Sequence, residues 1–593
     1  MPKTKNEEKR KAPFATPEEI DAFRHTTAHI LAHAVTELYP DALPAIGPPI
    51  ENGFYYDFAG LKITPDDFPK IEKKMADIVK ANYKLERLEL SPEDARKLFS
   101  KNPFKLELID EIVKKGEQLT AYRQGNFIDL CRGGHVQSTG AIAAFKLLKI
   151  AGAYWRGDPH KPQLTRIYGT SFPSKAELNV FLEALADAEK RDHRKLGSRL
   201  NLFMFSESIG MGLPLWLPNG EIVRNELMKF IRQKEEAYGY KYVWTPHLAL
   251  SQLYLQSGHL PYYKDFMYPP MRENSQEYYL KPMNCPHHHL IFKRLVTSYR
   301  DLPLRLAEEG TVYRKELSGV ASGMMRVRAM TQNDAHIYCT EEQLETEFVS
   351  VLRLFKEVYD TIGISDFWFR LSLPDFEKNP EKYASGDRLK WEATADAIRK
   401  AMSSFGAKYV EAVGEAAFYG PKIDVQIKNV YGHEETIATA QIDFIVPTRM
   451  GLEYVDEHDN RKNPIVIHRA IYGSYERFFA HLIEHFAGKF PLWLSPEQAR
   501  IITVSNRFDD YAKKVHDELL AAGIRVRLDL GAETLNKKIR NAQLDYVPYI
   551  LVVGEKEATT QTVNVRTRDN VVHGTIPTSD FIKRCLKEIS DKK

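Results

Sequence analysis

Apolar residues Ile20, Phe23, Ile30, Leu31, Val35 and Leu38 recur at helical spacing behind the segment Thr16-Pro17-Glu18-Glu19. Thr16 is placed to accept from the exposed first-turn amides, Glu19 to reach back, and Pro17 suits the first helical position. The pattern therefore predicts a helix ending at about Leu38. Mixed short strands and helices are expected from there to Phe172, with turns at Gly53, Gly125 and Gly133-Gly134. Ser174-Lys175-Ala176-Glu177 is a second start signal, opening a polar, Ala-rich helix to about Arg191 that reads as a linker over 173–190. Residues 191–495 carry many strand-like runs and aromatics. Beyond them, apolar runs at Arg500–Val504, Ile524–Leu530 and Tyr549–Val553 alternate with amphipathic stretches, the pattern of a compact α/β domain at 496–593.

A chain of 593 residues exceeds what one hydrophobic core fills, so three or four domains are expected. Hydrophobic residues at 43% and charged residues at 27% fit a soluble globular protein. With 83 basic against 80 acidic residues, net charge neither demands nor rules out a nucleic-acid partner. The four cysteines are widely spaced, so they give no disulfide framework and suggest a reduced, cytoplasmic protein. No apolar run approaches the roughly 20 residues of a membrane span. The start, MPKTKNEEKRKAP, lacks the apolar core of a signal peptide and reads as a solvated arm over 1–15 whose Lys9, Arg10 and Lys11 could meet phosphate.

Three stretches in the middle section carry chemistry: GLPLWLPNGEIVRNELMKFIRQKEEAYGYKYVWTP from Gly212, TVYRKELSGVASGMMRVRAMTQNDAHIYC from Thr311, and PIVIHRAIYGSYERFF from Pro464. In order and content they resemble the three signature motifs of class II aminoacyl-tRNA synthetases. KPMNCPHH at 281–288 and FYGPKIDV at 418–425 narrow the resemblance to the threonyl branch of class IIa, from about Phe14 to the C-terminus. The resemblance implies a multidomain α/β and α+β fold: an editing domain at 16–172, a catalytic domain on an antiparallel sheet at 191–495, and an anticodon-binding domain at the end. It implies ATP, accompanied by Mg²⁺, as a substrate. By the same resemblance Arg314 and Arg326 grip phosphates, Glu316 holds the adenine edge, Arg477 closes over the nucleotide, and Gln441 contacts ATP or its metal-bound phosphates. Fixed cations suit a reaction that adds negative charge at phosphorus.

Threonine differs from valine by a hydroxyl in place of a methyl, a difference that an apolar pocket resolves only about a hundredfold. Cys285, His336 and His468 fall where the resemblance places three zinc ligands, one ion per subunit. Such a site leaves the metal open to the amino and hydroxyl groups of L-threonine. Asp334 is then expected at the substrate ammonium, Tyr419 and Met283 as pocket lining, and Lys422 near the carboxylate or nucleotide. Four departures stand out: His287 for a family glycine beside Cys285, Met330 for the adenine-stacking aromatic, Thr436 for a glutamine near substrate, and Ala532 for an anticodon-contacting asparagine.

Serine keeps both chelating groups, and one missing methyl is worth only about 1–3 kcal/mol, so a hydrolytic second sieve is expected. His25 and His29 lie on one helical face, and Cys131-Arg132-Gly133-Gly134-His135 supplies a second pair preceded by Asp129. Ligand chemistry alone favours zinc here. The surrounding text, IGPPIENGFYYDF and AGAYWRGD, resembles threonyl modules, which use such residues without metal to hydrolyse mischarged tRNA, with Lys105 near the ester. The metal-free reading is preferred. His33 is expected to pack rather than react, and Cys339 and Cys585 to be buried. Because the resemblance starts at the editing module, the small β-rich domain that many bacterial relatives carry ahead of it is not expected here.

At the other end Glu557 and Arg566 align with residues that read anticodon bases of tRNA(Thr), while Lys537, Lys538 and Arg540 are expected at phosphate or in solvent. The first motif, with Pro246, implies a homodimer. Rival readings are a synthetase for proline, serine or histidine, and a silent paralogue that binds tRNA. The Cys285/His336/His468 set argues against the first, and the retained Arg314 and Arg477 against the second.

Overall fold

The computed structural model describes residues 16–158, 160–316, 323–383 and 388–593. The expected arm at 1–15 lies outside the described residues. The chain divides into two compact units, one reaching to Ala186 and the other starting at Asp187.

In the first unit, helix α1 (Pro17–Leu38) begins where the capping signal predicts, with Thr16 Oγ1 accepting from the Glu19 amide at 3.3 Å. Its inner face joins α2 (Phe68–Ala81) over a largely antiparallel sheet. In that sheet, β1 (Gly53–Ala59) pairs with the last strand, Gln163–Phe172, and that strand with Ala144–Tyr154. Gly53 is not a turn residue as expected: it opens β1, where a Cβ would come within 2.2 Å of the Gly169 carbonyl oxygen. Helix α3 (Pro103–Lys114) and the hairpin of β2 (Thr120–Gln124) and β3 (Phe127–Leu130) complete the part that matters for chemistry. The expected linker helix is α4 (Lys175–Arg191), with Ser174 Oγ accepting from the Glu177 amide.

The second unit is built on an eight-stranded sheet. Its centre is antiparallel: β4 (Leu304–Tyr313), β5 (Ala329–Cys339), β8 (Ile465–Ser474), β7 (Glu434–Asp443) and β6 (Lys422–Lys428) lie side by side in that order. Only the edge strands Lys241–Tyr242 and Tyr409–Val413 pair in parallel. One face packs on α5 (Pro218–Ala237), Leu344–Ile362 and α7 (Tyr475–His485) through Leu227, Phe230, Ile337, Ile467 and Phe478. The other face carries α6 (Cys285–Leu295) and the chemistry. The terminal domain is a mixed five-stranded sheet: Val526–Asp529, Ala499–Thr503 and Tyr549–Val553 run parallel, followed by two antiparallel strands. Its three apolar runs thus became the three parallel strands.

Candidate active and editing sites

Strand register assembles the second unit's site. On neighbouring strands His336 stands opposite His468, and His468 opposite Gln441, so all three side chains share one face of the sheet. Helix α6 begins with Cys285 over that face. One ligand atom each from Cys285, His336 and His468 falls within 4.8 Å of the others, and all three residues are buried. A thiol and two imidazoles, with a gap of that size between them, fit the N/S preference of zinc. Burial pushes the Cys285 thiol well up, with Asp334 and Asp443 adding to it, and pushes His336 well below its ordinary value. His468 Nε2 lies 3.1 Å from Asp443 Oδ2, which leaves its Nδ1 for a ligand. The Tyr419 ring stacks on His468 at 5.2 Å and its hydroxyl donates to Gln441 Oε1. Asn284 Nδ2 donates to Asp334 Oδ2 at 2.9 Å, and Lys422 Nζ meets Asp424 Oδ2 at 2.6 Å.

Beside this set lies a cavity of about 150 Å³ lined by Arg314, Glu316, Arg326, Met330, Thr436 and Arg477, among others. Arg326 Nε donates to Glu316 Oε2 at 3.0 Å, and Arg477 Nε to the Met325 carbonyl at 3.0 Å. Burial lowers the Arg477 pKa, and Arg314 and Arg326 repel it further against the pull of Glu435 and Glu316. Three guanidinium groups facing one cavity suit a polyanion. Gln441 is not among the residues that line this cavity; it sits with Tyr419 and His468.

The departures resolve differently. His287 is 7% exposed, its ring lies 6.4 Å from that of Tyr254, and it is not among the converging ligands. Met330 lines the arginine-walled cavity, and Thr436 Oγ1 accepts from Gln426 Nε2 at 2.6 Å. Ala532 is exposed. Of the residues not singled out by the sequence, His259 places Nε2 3.2 Å from Met283 Sδ and 3.6 Å from Cys285 Sγ. Asp443 is likewise new. Neither lies in a recognisable local motif, so only the folded register could reveal them.

In the first unit α1 supplies His25 and His29, and the segment after β3 supplies Cys131 and His135. One ligand atom from each of the four lies within 4.8 Å of the others. Cys131 Sγ is 3.5 Å from His25 Nε2 and 3.3 Å from His135 Nε2. Gly133 and Gly134 take φ of 111° and 82°, the left-handed region that lets this loop fold back. Beneath it Lys105 Nζ pairs with Asp129 Oδ1 at 2.5 Å, and Tyr56, unmarked in the sequence, donates its hydroxyl to Asp129 Oδ2. Burial raises Cys131 to about 12 and lowers His25, His29 and His135, so the ring nitrogens are neutral acceptors or donors. His33 packs as expected, against Phe127 and beside Glu37.

The terminal domain corrects one expectation. Lys538 is 3% exposed and donates to the Asp529 carbonyl at 3.2 Å, so it is a packing residue and not a phosphate contact. Lys537 pairs with Glu533 at the surface. Glu557 Oε2 accepts the Gly554 amide at 3.1 Å, capping a short helix, while Arg566 lies on the adjoining antiparallel strand. Cys339 and Cys585 are fully buried.

Residues 119–168 match the threonyl and alanyl tRNA synthetase second additional domain. Residues 266–486 match the tRNA synthetase class II core domain (G, H, P, S and T), and 498–588 the anticodon binding domain. A threonine–tRNA ligase of Rubrobacter xylanophilus is 47% identical over 98% of this chain and 90% of its own length. This chain belongs to the threonine–tRNA ligase family. A second member, threonine–tRNA ligase 1 of Bacillus subtilis, is 47% identical over 96% of this chain and 89% of its own. Among solved structures, the RNA binding domain of threonyl-tRNA synthetase from Cryptosporidium parvum Iowa II superposes with a TM-score of 0.63 at 38% identity, covering 67% of this chain and 98% of that one. An aminoacyl-tRNA ligase of this family therefore carries both clusters, one within its class II core and one shared between its second additional domain, which holds Cys131 and His135, and helix α1.

Proposed function

We propose that this ligase activates L-threonine with ATP in the Cys285/His336/His468 pocket, transfers it to tRNA(Thr), and hydrolyses Ser-tRNA(Thr) in the His25/His29/Cys131/His135 pocket. The convergence of one thiol and two imidazoles within 4.8 Å on the sheet face carries the threonine reading. When bound there, zinc supplies an open Lewis-acid position that threonine's amino and hydroxyl groups fill together and valine's amino group fills alone. The chain's own residues do the rest. Asp334, half-buried on the same face, attracts the substrate ammonium, while Tyr419 and Met283 close the apolar side. Arg314 and Arg326 grip the α- and γ-phosphate regions of magnesium-bound ATP and offset the charge that grows at phosphorus, Arg477 closes over the nucleotide, and Glu316 accepts from the adenine edge. Lys422 and Gln441 stand between the two halves of the pocket.

In the editing pocket the neutral imidazoles hold and align a water at the ester, and Lys105, fixed by Asp129 and Tyr56, faces the terminal ribose. Burial is the main cause of the lowered basicity of His25 and His29, with Lys105 adding a little and Asp129 opposing it at His25, and neutral rings of this kind suit the metal-free reading. A tetrahedral metal site is the second reading, favoured by the close approach of Cys131 to two rings. Glu557 and Arg566 contact the anticodon, and the enzyme works as a cytoplasmic homodimer. No described helix is long and apolar enough to cross a membrane. Amino-acid-dependent pyrophosphate exchange tests the reading: threonine should drive it, and a response to proline alone, to serine alone, or to neither overturns it.

A further inference from the structure

His336 does not stand alone on its strand. Its Nδ1 lies 2.9 Å from Nδ1 of His288, on the first turn of α6. His288 Nε2 lies 3.1 Å from Glu308 Oε2, on β4. Glu308 in turn accepts from the Thr245 amide at 2.7 Å and the Thr245 hydroxyl at 2.9 Å, and Lys281 Nζ is 3.5 Å away. Lys281 itself donates to the Thr245 hydroxyl at 2.8 Å. His288 and Lys281 have no exposed surface and Glu308 only 2%. A buried charged pair of this kind persists only when its polar atoms are engaged, and with a single proton on His288 the chain of contacts has one consistent arrangement.

Glu308 is acceptor only, so His288 must carry its proton on Nε2. Its Nδ1 is then an acceptor, and the proton of His336 must sit on Nδ1, leaving His336 Nε2 bare and turned to Cys285 and His468. The geometry points to Glu308 and His288 as positioning residues that fix the tautomer and ring orientation of the zinc ligand His336, with Lys281 and Thr245 anchoring the carboxylate. This rests on the zinc reading of the Cys285/His336/His468 set. His468 is held by Asp443 directly, whereas His336 is held at one remove, because a second histidine stands where a carboxylate usually does.

The test uses the full chain and zinc alone, read by competition with a chromogenic chelator, with the visible ligand-field bands of the cobalt-loaded protein as a second signal. His288→Leu removes the acceptor and is expected to weaken zinc binding about 10–100-fold and to shift the cobalt bands. His288→Gln, whose amide oxygen restores an acceptor, should recover most of that loss. Should the leucine variant fail to fold, the paired change Lys281→Met/Glu308→Leu removes the anchor without stranding a buried charge and should weaken zinc similarly. Parent-like affinity and bands in folded His288→Leu or in the paired variant, or a glutamine variant no better than leucine, overturn the assignment. A parent chain that binds no zinc at its core site overturns the zinc reading itself, and the inference with it.

Discussion

Cys285, His336 and His468 have no meaning as a local pattern, yet they meet because β5 and β8 bring the two histidines into cross-strand register and α6 starts above them. The residue types were legible in the sequence through the family's motifs. The groups that hold them, Asp443, His288 and Glu308, were not, because each is ordinary in its own segment and acts only across strands. The arginines invite a direct test. Arg477→Ala should lower threonine-dependent pyrophosphate exchange about 10²–10³-fold while the protein remains folded; exchange within threefold of the parent would remove Arg477 from the reaction. His29 makes the complementary prediction. With His29→Ala, deacylation of Ser-tRNA(Thr) should fall at least tenfold while threonine exchange stays within twofold. Unchanged deacylation would contradict the editing role.

At the scale of elements, alternation along the central strands separates two environments. Asp334 and His336 face the site, while Asn333 and Ala335 on the same strand and Arg469 on β8 opposite Ala335 face the helices behind it. Behind the site this creates a buried polar layer. Arg469 Nη1 pairs with Glu235 at 2.6 Å, Asn333 donates to Glu235, and the Arg469 guanidinium lies over Tyr240. Glu309 on β4 joins that layer with both carboxylate oxygens sealed from solvent and the Tyr475 hydroxyl as its neighbour. Burial raises its pKa to about 8, Glu235 adds to the shift, and Tyr475, Arg469 and Arg224 oppose it. Because the folded value lies above the unfolded one, the neutral acid is favoured by folding. That contribution is complete below about pH 4.5 and is lost as pH rises through about 8. Glu309→Gln should therefore flatten the fall in thermal stability between those limits, a difference on the order of a few kcal/mol at the alkaline end. Glu476, raised to about 7 by burial, will retain part of the slope. Identical pH–stability curves for parent and variant would contradict this placement of Glu309. Capping signals and apolar periodicity foretold α1, α4 and the terminal strands well, since those signals are local. Gly53 and Lys538 were misjudged because a close backbone approach and a contact from a helix to a strand-end carbonyl leave no trace in neighbouring residues.

Across the whole molecule the two clusters are nearly alike in donor type but differ in what surrounds them. The core set is one thiol and two imidazoles, a ligand short of a closed tetrahedral site, whereas the editing set has four converging residues with the Lys105–Asp129 pair beside them. Metal analysis of the purified chain should accordingly return one zinc per chain, lost in Cys285→Ser and retained in Cys131→Ser. Two ions, one of them lost with Cys131, would favour the tetrahedral reading of the editing pocket. The claim on which the account turns is that a chelating hydroxyl is what the core site selects. Threonine and valine exchange should be followed as zinc is restored in steps to stripped protein. Threonine exchange is predicted to rise in proportion to core-site occupancy while valine stays near background; full threonine exchange without zinc, or valine exchange rising alongside it, would contradict the account.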